Sequence, residues 1–471
     1  MDKLSETSID KASRSTLLLA VCIAHFMMPF MLSAVGVALP AMGRDLGASA
    51  LQLGLVETTY ALAAAVFLLT MGRLGDIHGR KRVFLNGLLV FSFLGGIISL
   101  SQSIEAVIVL RFFQGIGGAM VMATTMAMVV SAFPPEQRGK ALGIVVASVY
   151  AGISFGPLVG GFMAENFGWR SLFYMVLPLG LLTYMLTRTR IRHDWAEARG
   201  EPFDLSGAII YATSVMLLFS GVVNVNQGWW AWGLIGAGNA GLIAFLWFES
   251  RSKFPLLNVE LFTRNRVFAF SNLAALFNYA ATFGVTFFMS LYLQYAKGMG
   301  PQQAGLVLIT SPVVQALFSP LCGRLADRIP AAWVATTGMF FCALAIAVAA
   351  TLDKSSTMPL IYALLVLLGI GFALFSSPNI STIMGSVSAK YLGVASGLNA
   401  SMRTFGMLSS MMIITLVFTR IMPGVAVSTE TLDTFLRSMH ITLLIFSALC
   451  TLGIGFSLVR LKAAPRQEPK A

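Results

Sequence analysis

The sequence predicts an all-α polytopic membrane protein: two six-helix bundles plus two extra central helices, fourteen transmembrane helices in all, with both termini cytoplasmic. Three observations predict it. The 471 residues are 57% hydrophobic and only 11% charged, with a mean hydropathy of +0.80, whereas a soluble globule carries about a quarter of its residues as charges. The apolar residues fall into fourteen runs, each near the ~20 residues that cross a ~30 Å hydrocarbon layer. Lys and Arg alternate between loops so as to collect on one face.

In chain order, a polar tail (1–16) precedes runs at 17–40, 51–71, 83–101, 106–131, 139–164 and 169–187, which make an N-terminal bundle over 17–187. The first run is much longer than a signal-peptide core, so it is expected to stay uncleaved in the membrane. A polar linker (188–203) leads to two additional helices within 204–248, read as 204–224 and 229–248. Trp229, Trp230 and Trp232 there fit an interfacial belt, and this pair is expected to flank the core without touching cargo. A second linker (249–265) leads to runs at 266–295, 301–322, 331–351, 358–384, 390–419 and 436–460, a C-terminal bundle over 266–460 followed by a tail (461–471). With the N-terminus inside, the cytoplasmic loops hold Lys3, Lys11, Arg73, Arg80, Lys81, Arg82, Arg138, Lys140, Arg188, Arg264, Arg324, Lys390, Lys462, Arg466 and Lys470 among others, against Arg44, Arg170, Lys297, Lys354, Arg420 and Arg437 outside. The bias, roughly four to one, supports both count and orientation, because one missed helix would invert every later loop.

The same inventory excludes several functions. The net charge of +12 sits in short clusters between apolar runs, which suits anionic headgroups of a lipid bilayer rather than nucleic acid. Cys22, Cys322, Cys342 and Cys450 lie inside apolar runs without metal-ligand spacing, and His25, His78, His193 and His440 are scattered along the topology, so no metal, cofactor or enzymatic centre is expected. There is no GxxxxGK[ST] loop for ATP. A multi-pass protein of a prokaryotic plasma membrane, present as a monomer, is expected.

The two halves echo each other. GRLGD (72–76) recurs as GRLAD (323–327), each after a long apolar run; QGIGGA (114–119) pairs with LGIGFA (368–373), and RGKALG (138–143) with LGVASG (392–397) at one common offset. Duplicated halves that rock about a midplane site are how many secondary transporters are built. In the loop motif, Gly72 permits close helix approach. Asp76, and Asp327 in the second copy, can accept hydrogen bonds from a helix N-terminus or pair with an arginine. Gly79, Arg80 and Arg82 complete the cytoplasmic cluster.

GRLGDIHGRKR resembles the cytoplasmic loop signature of the major facilitator superfamily, and LRFFQGIGGA (110–119) and GISFGPLVGG (152–161) resemble its fourth- and fifth-helix signatures, the latter typical of antiporters. VALP (37–40), GWRSLFYMVLPLG (168–180), FDLSG (203–207), PLLNVELF (255–262) and GLNASMRTFG (397–406) resemble its fourteen-helix drug:proton antiporter branch. The resemblance implies the major facilitator fold and a proton-coupled antiporter that exports small amphipathic compounds by alternating access, a multidrug-efflux type. It also implies that Gly152, Gly156, Pro157, Gly160 and Gly161 seal the bundles on the outer side, and that the loop motif is a conformational switch. The alternatives are a proton-coupled importer or exporter of one metabolite, an anionic one included, and more remotely a non-transporting receptor. Two departures stand out: Ile77 occupies a usually basic place, and Met31 stands where the branch commonly has a first-helix Asp, so no role resting on that acid transfers.

Ionisable groups inside hydrocarbon cost about 2.5–3.5 kcal/mol even on lenient scales, so each calls for a reason. Glu57 and Arg111 lie about 9 Å deep from the outer side at 1.5 Å per residue and are expected to meet. Glu57 then exchanges a proton between an Arg111-paired state and a desolvated one. The structural alternative is a static pair. His25 is a relay candidate, although a hydrogen-bonded core histidine is the commoner outcome. Arg403 falls near a midplane without an acid in its half. Arg403, Arg111, Met31, Asn278 and Asn399 are the candidates to line a substrate cavity.

Overall fold

The computed structural model describes residues 11–48, 50–225, 227–257, 259–299, 301–422 and 431–463. Lys3, Asn226, Asn258, Arg466 and Lys470 lie outside the described residues, as do the side chains of Lys11, Arg44, Pro157 and Lys462.

The apolar runs form helices α1 (Lys11–Leu46), α2 (Ala50–His78), α3 (Arg80–Ser99), α4 (Ile104–Ala132), α5 (Pro135–Asn166) and α6 (Arg170–Arg190), then α7 (Leu205–Val223) and α8 (Trp229–Glu249). After the short α9 (Glu260–Thr263) come α10 (Arg266–Tyr295), α11 (Pro301–Leu308), α12 (Thr310–Arg328), α13 (Ala331–Ala349), α14 (Met358–Gly385), α15 (Leu392–Ile421) and α16 (Leu432–Ala463). Fourteen segments are long and apolar enough to span a membrane, α11 and α12 together supplying one, and the described residues contain no strand. Several helices outrun their apolar runs. At 36 residues, α1 is about 54 Å long, running on through Pro40 and Gly43 to Leu46. Caps set the starts: Ser103 accepts from the Ala106 amide at 3.3 Å, Asp204 from Gly207 at 2.8 Å and Asn265 from Phe268 at 3.0 Å, each satisfying an otherwise orphaned donor.

The repeats in sequence are repeats in packing. In the N-terminal bundle Gly117 of α4 lies against Gly87 and Phe91 of α3; in the C-terminal bundle Gly371 of α14 lies against Gly338 and Cys342 of α13. A Cβ at any of the four glycines would strike the facing backbone, so QGIGGA and LGIGFA are the same backbone-to-backbone seam made twice. Each half has its own apolar core, one centred on α1–α6 and one on α10–α16.

The halves join through crossed pairs, α5 with α12 and α2 with α15. The pair α7–α8 packs on itself and reaches the junction through Tyr211, whose hydroxyl donates to the Ala65 carbonyl and shares a hydrogen bond with Ser401, both at 3.3 Å. The extra helices therefore touch α2 and α15 at once. Trp229, Trp230 and Trp232 are exposed at the start of α8.

Candidate functional site

At the basic face the two halves are held by one contact made twice. Asp76, at the end of α2, is fully buried; its carboxylate accepts from the Gly393 and Val394 amides at the start of α15 at 2.9 and 3.0 Å. Asp327, at the end of α12, accepts from Gly139 and Lys140 near the start of α5 at 2.7 and 2.9 Å. A carboxylate on the positive end of a helix is favourable in itself, and here each one binds its partner bundle. Glycines let the helices come close enough: Gly72 meets Gly393, Gly397 meets the Leu68 carbonyl, Gly323 meets Gly139, and Gly143 meets the Ser319 carbonyl.

The first copy is reinforced. Arg80, wholly buried, donates Nε to Asp76 Oδ1 at 2.8 Å, Nη1 to Ser131 Oγ at 2.8 Å and Nη2 to the Ala389 carbonyl at 2.5 Å, so one guanidinium ties α4 and the segment before α15 to the motif. Gly79 turns the chain from α2 into α3 at φ +110°, a left-handed conformation that a side chain resists. The 191–204 linker folds onto this turn: Trp195 accepts from the Arg80 amide at 2.9 Å, Ala198 donates to the Asp76 carbonyl at 2.9 Å, and Asp194 takes the Lys81 amide at 3.0 Å and Arg82 at 3.3 Å. Glu201 then bridges Arg73 of α2, at 2.6 Å, and Lys390 before α15. Burial raises the Glu201 pKa, but the hydrogen bonds from Lys390 and Arg73 outweigh it and hold the carboxyl below its usual range. Sequence reasoning counted Arg73 and Lys390 as loop anchors and did not single out Asp194 or Glu201; the only signal was four acids, Asp194, Glu197, Glu201 and Asp204, in a linker that lies on the basic side.

Glu57 and Arg111 are not paired. Arg111 is fully buried and donates Nε to the Val56 carbonyl at 3.1 Å and Nη1 to Gln114 at 2.9 Å, while the Tyr60 ring lies 4.4 Å from its guanidinium carbon. The Glu57 carboxylate turns to α1, where it abuts Gly36. The reason is rotational: Val56 and Tyr60, one turn apart, present the face of α2 that meets α4, and Glu57 stands about 100° around the helix from Val56. Equal depth did not bring the two together.

Halfway through the membrane the bundles enclose a cavity of about 40 Å³ lined by residues including His25, Tyr150, Tyr279, Ser376, Asn399 and Arg403. His25 Nε2 hydrogen-bonds Thr125 Oγ1 at 2.5 Å, and its Nδ1 is buried without a partner. Tyr150 of α5 and Tyr279 of α10 both pack on Phe372, at 6.1 and 5.5 Å, so rings from both halves meet beside the cavity. Of the residues expected there, Arg403 and Asn399 line the cavity, whereas Arg111, Met31 and Asn278 do not. Met31 is buried in the N-terminal core, and Asn278 faces α16, accepting from the Cys450 thiol at 3.7 Å.

The α5 glycines also pack differently from the expectation. Gly152 meets the backbone of Phe26 and Phe30, Gly156 meets Ser33 and the Phe30 carbonyl, and Gly160 meets Ala34. All are on α1, so the seam lies inside the N-terminal bundle rather than between bundles. Two further buried groups were missed. Arg460 is tied to Asn379, Ser271 and the Ala332 carbonyl, and Glu249 accepts from the Leu257 amide at 3.0 Å. Among the described residues no three His, Cys, Asp or Glu side chains gather as a metal site.

The Major Facilitator Superfamily family model matches residues 21–410 and 271–471. This chain belongs to the major facilitator superfamily. Within it, the chain is 30% identical over 389 residues to the riboflavin transporter RibZ of Clostridioides difficile, covering 82% of this chain and 84% of that one. It is 30% identical over 395 residues to the tetracenomycin C resistance and export protein of Streptomyces glaucescens, covering 83% and 73%. The crystal structure of the human organic anion transporter MFSD10 superposes with a TM-score of 0.66 over 96% of this chain and 99% of that one at 14% identity, a likeness of fold. Major facilitator proteins are transporters, and this one is a multi-pass protein of the cell membrane, not an enzyme.

Proposed function

We propose that the chain is a proton-coupled antiporter that exports small amphipathic compounds by alternating access. The observation that carries this reading is the pairing of a midplane cavity with two reciprocal caps on its basic side. A drug-sized cargo needs roughly 300–1,000 Å³, so a cavity of about 40 Å³ admits one only if the bundles part, and the Asp76 and Asp327 contacts must break for that to happen toward the cytoplasm. The export direction is supported by the tetracenomycin C relative. The riboflavin transporter supports a second reading, a transporter of one metabolite.

Glu57 is the acid that fits proton coupling. It is half-buried, faces Gly36 of α1, and thus puts a carboxyl against the helix on which Met31 replaces the branch's Asp. Arg111, anchored one residue away on the Val56 carbonyl, is its charged neighbour in the alternate state. Everted membrane vesicles energised by respiration test the reading. A dye panel should accumulate with an imposed proton gradient and leak out when it is collapsed. Glu57→Gln should abolish the dependence on ΔpH while leaving folded protein, and full pH-driven exchange by that variant would remove Glu57 from the mechanism.

A further inference from the structure

Four arginines far from the loops or at the bundle junction bear on the cavity's charge, and three of them donate to oxygen acceptors, although Arg111 Nη2 and Arg460 Nε stay buried without a partner. Arg80 has Asp76, Ser131 and a carbonyl; Arg111 has Val56 and Gln114; Arg460 has Asn379, Ser271 and a carbonyl. Arg403 has a thioether, Met122 Sδ at 3.8 Å, and opens into the midplane cavity. A sulfur lone pair neutralises no charge, and a cation near the bilayer centre without a counter-ion is unfavourable. The rest of the lining offers nothing to neutralise it either: no Asp or Glu lines the cavity. Its other polar members are donors or donor-acceptors, namely the hydroxyls of Ser376, Ser396, Tyr150 and Tyr279, the Asn399 amide and His25, whose Nδ1 is buried and unpartnered. Tyr150 and Tyr279 supply ring faces from opposite bundles.

We propose that the transported molecule carries an anionic, acceptor-rich group, a carboxylate or phenolate, on an aromatic body, and that Arg403 is its counter-ion. Binding then removes the charge imbalance that the empty cavity carries, whereas a cationic cargo meets Arg403 in a medium of low dielectric with nothing to offset the repulsion. A guanidinium suits this role better than an ammonium because it meets both carboxylate oxygens at once. The His25 ring and the Asn399 amide set the orientation, and the tyrosines hold the aromatic body. The inference rests on the transporter reading above, with the path running through this cavity.

The test is equilibrium binding to the purified full chain in lipid nanodiscs, by fluorescence polarisation, of two xanthene dyes of like size: anionic fluorescein and cationic rhodamine 123. Fluorescein should bind at least ten-fold more tightly than rhodamine 123. Arg403→Gln should erase the preference and Arg403→Lys should keep part of it, with folding of each variant judged by its size-exclusion profile. Should Arg403→Gln fail to fold, competition on the unaltered chain decides, with 4-hydroxybenzoate displacing fluorescein and benzamidine not doing so. Equal or tighter binding of rhodamine 123, an undiminished preference in folded Arg403→Gln, or binding of chloride with none of fluorescein would overturn the proposal. Absence of ΔpH-driven dye uptake in everted vesicles counts against the export reading alone, since the nanodisc comparison needs no gradient.

Discussion

Asp76 and Asp327 make the same contact on opposite bundles, each accepting two amide hydrogen bonds at the start of the other half's fifth helix. The two are not equivalent in depth. Asp76 is fully buried with Arg80, whereas Asp327 is half-buried without an arginine on it. Removing one partner of a buried pair costs about 3–5 kcal/mol because the other charge is stranded, while losing an amide-to-carboxylate bond costs about 1.5–3 kcal/mol. Asp76→Asn should therefore lower the thermal midpoint in detergent more than Asp327→Asn does. Both should slow transport.

The amides that these carboxylates cap should exchange slowly. Hydrogen exchange at Gly393 and Val394 is expected to accelerate in Asp76→Asn, with Gly139 and Lys140 unaffected, and the converse pattern is expected in Asp327→Asn. Simultaneous loss of protection at both caps in each variant would show that the seals open as one unit.

Gly143 and Gly397 stand at matching places in the two crossed interfaces, against the Ser319 and Leu68 carbonyls. A side chain there meets backbone that cannot step aside, and overpacking typically costs about 1–3 kcal/mol. Gly143→Leu and Gly397→Leu should each leave the individual bundles folded but hold them apart. The expected outcome is membrane-inserted protein with dye efflux near background and raised hydrogen exchange over 389–397 and 135–143.

Gly156→Leu is predicted to behave differently, because Gly156 faces Ser33 and Phe30 of α1 within one bundle. The fault is then in the N-terminal core, and the yield of monodisperse protein should fall along with transport. Gly156→Ala, one carbon against the Ser33 side chain, should be milder. Intact yield with abolished transport for the leucine variant would return this seam to the bundle interface.

Glu201 gives a pH dependence of known sign. Its two basic partners depress its pKa despite burial, so the stabilisation it supplies is fully present above the ordinary carboxyl range and is lost as pH falls through the depressed value. Two partly exposed pairs contribute about 0.2–1 kcal/mol each. The difference in melting temperature between the unaltered chain and Glu201→Gln should be constant at neutral pH and shrink below about pH 4. A difference growing on acidification would contradict the Arg73 and Lys390 contacts.

How much of this was legible in the sequence depends on what each feature is made of. The spans were legible because run length and the sidedness of Lys and Arg are properties of the chain itself, and the duplication was legible because GRLGD and GRLAD are the contacting residues. Partner choice was not. Glu57 and Arg111 sit at like depth, yet the rotation of α2 turns Glu57 to α1 and presents the Val56 carbonyl to Arg111 of α4. Asn278 and Asn399 are both polar residues on C-terminal helices, and only Asn399 faces the cavity. The linker from 191 to 204 has no apolar run and reads as a spacer, although its Glu201 bridges Arg73 of one half and Lys390 of the other.

Tyr211 carries a consequence for the additional helices. Its single hydroxyl touches the Ala65 carbonyl on one half and Ser401 on the other. Any swing that draws α2 from α15 at that level must drop one of those two attachments, so the α7–α8 pair has to ride with one half as a passenger and slide against the other, and which bond survives decides where its weight travels.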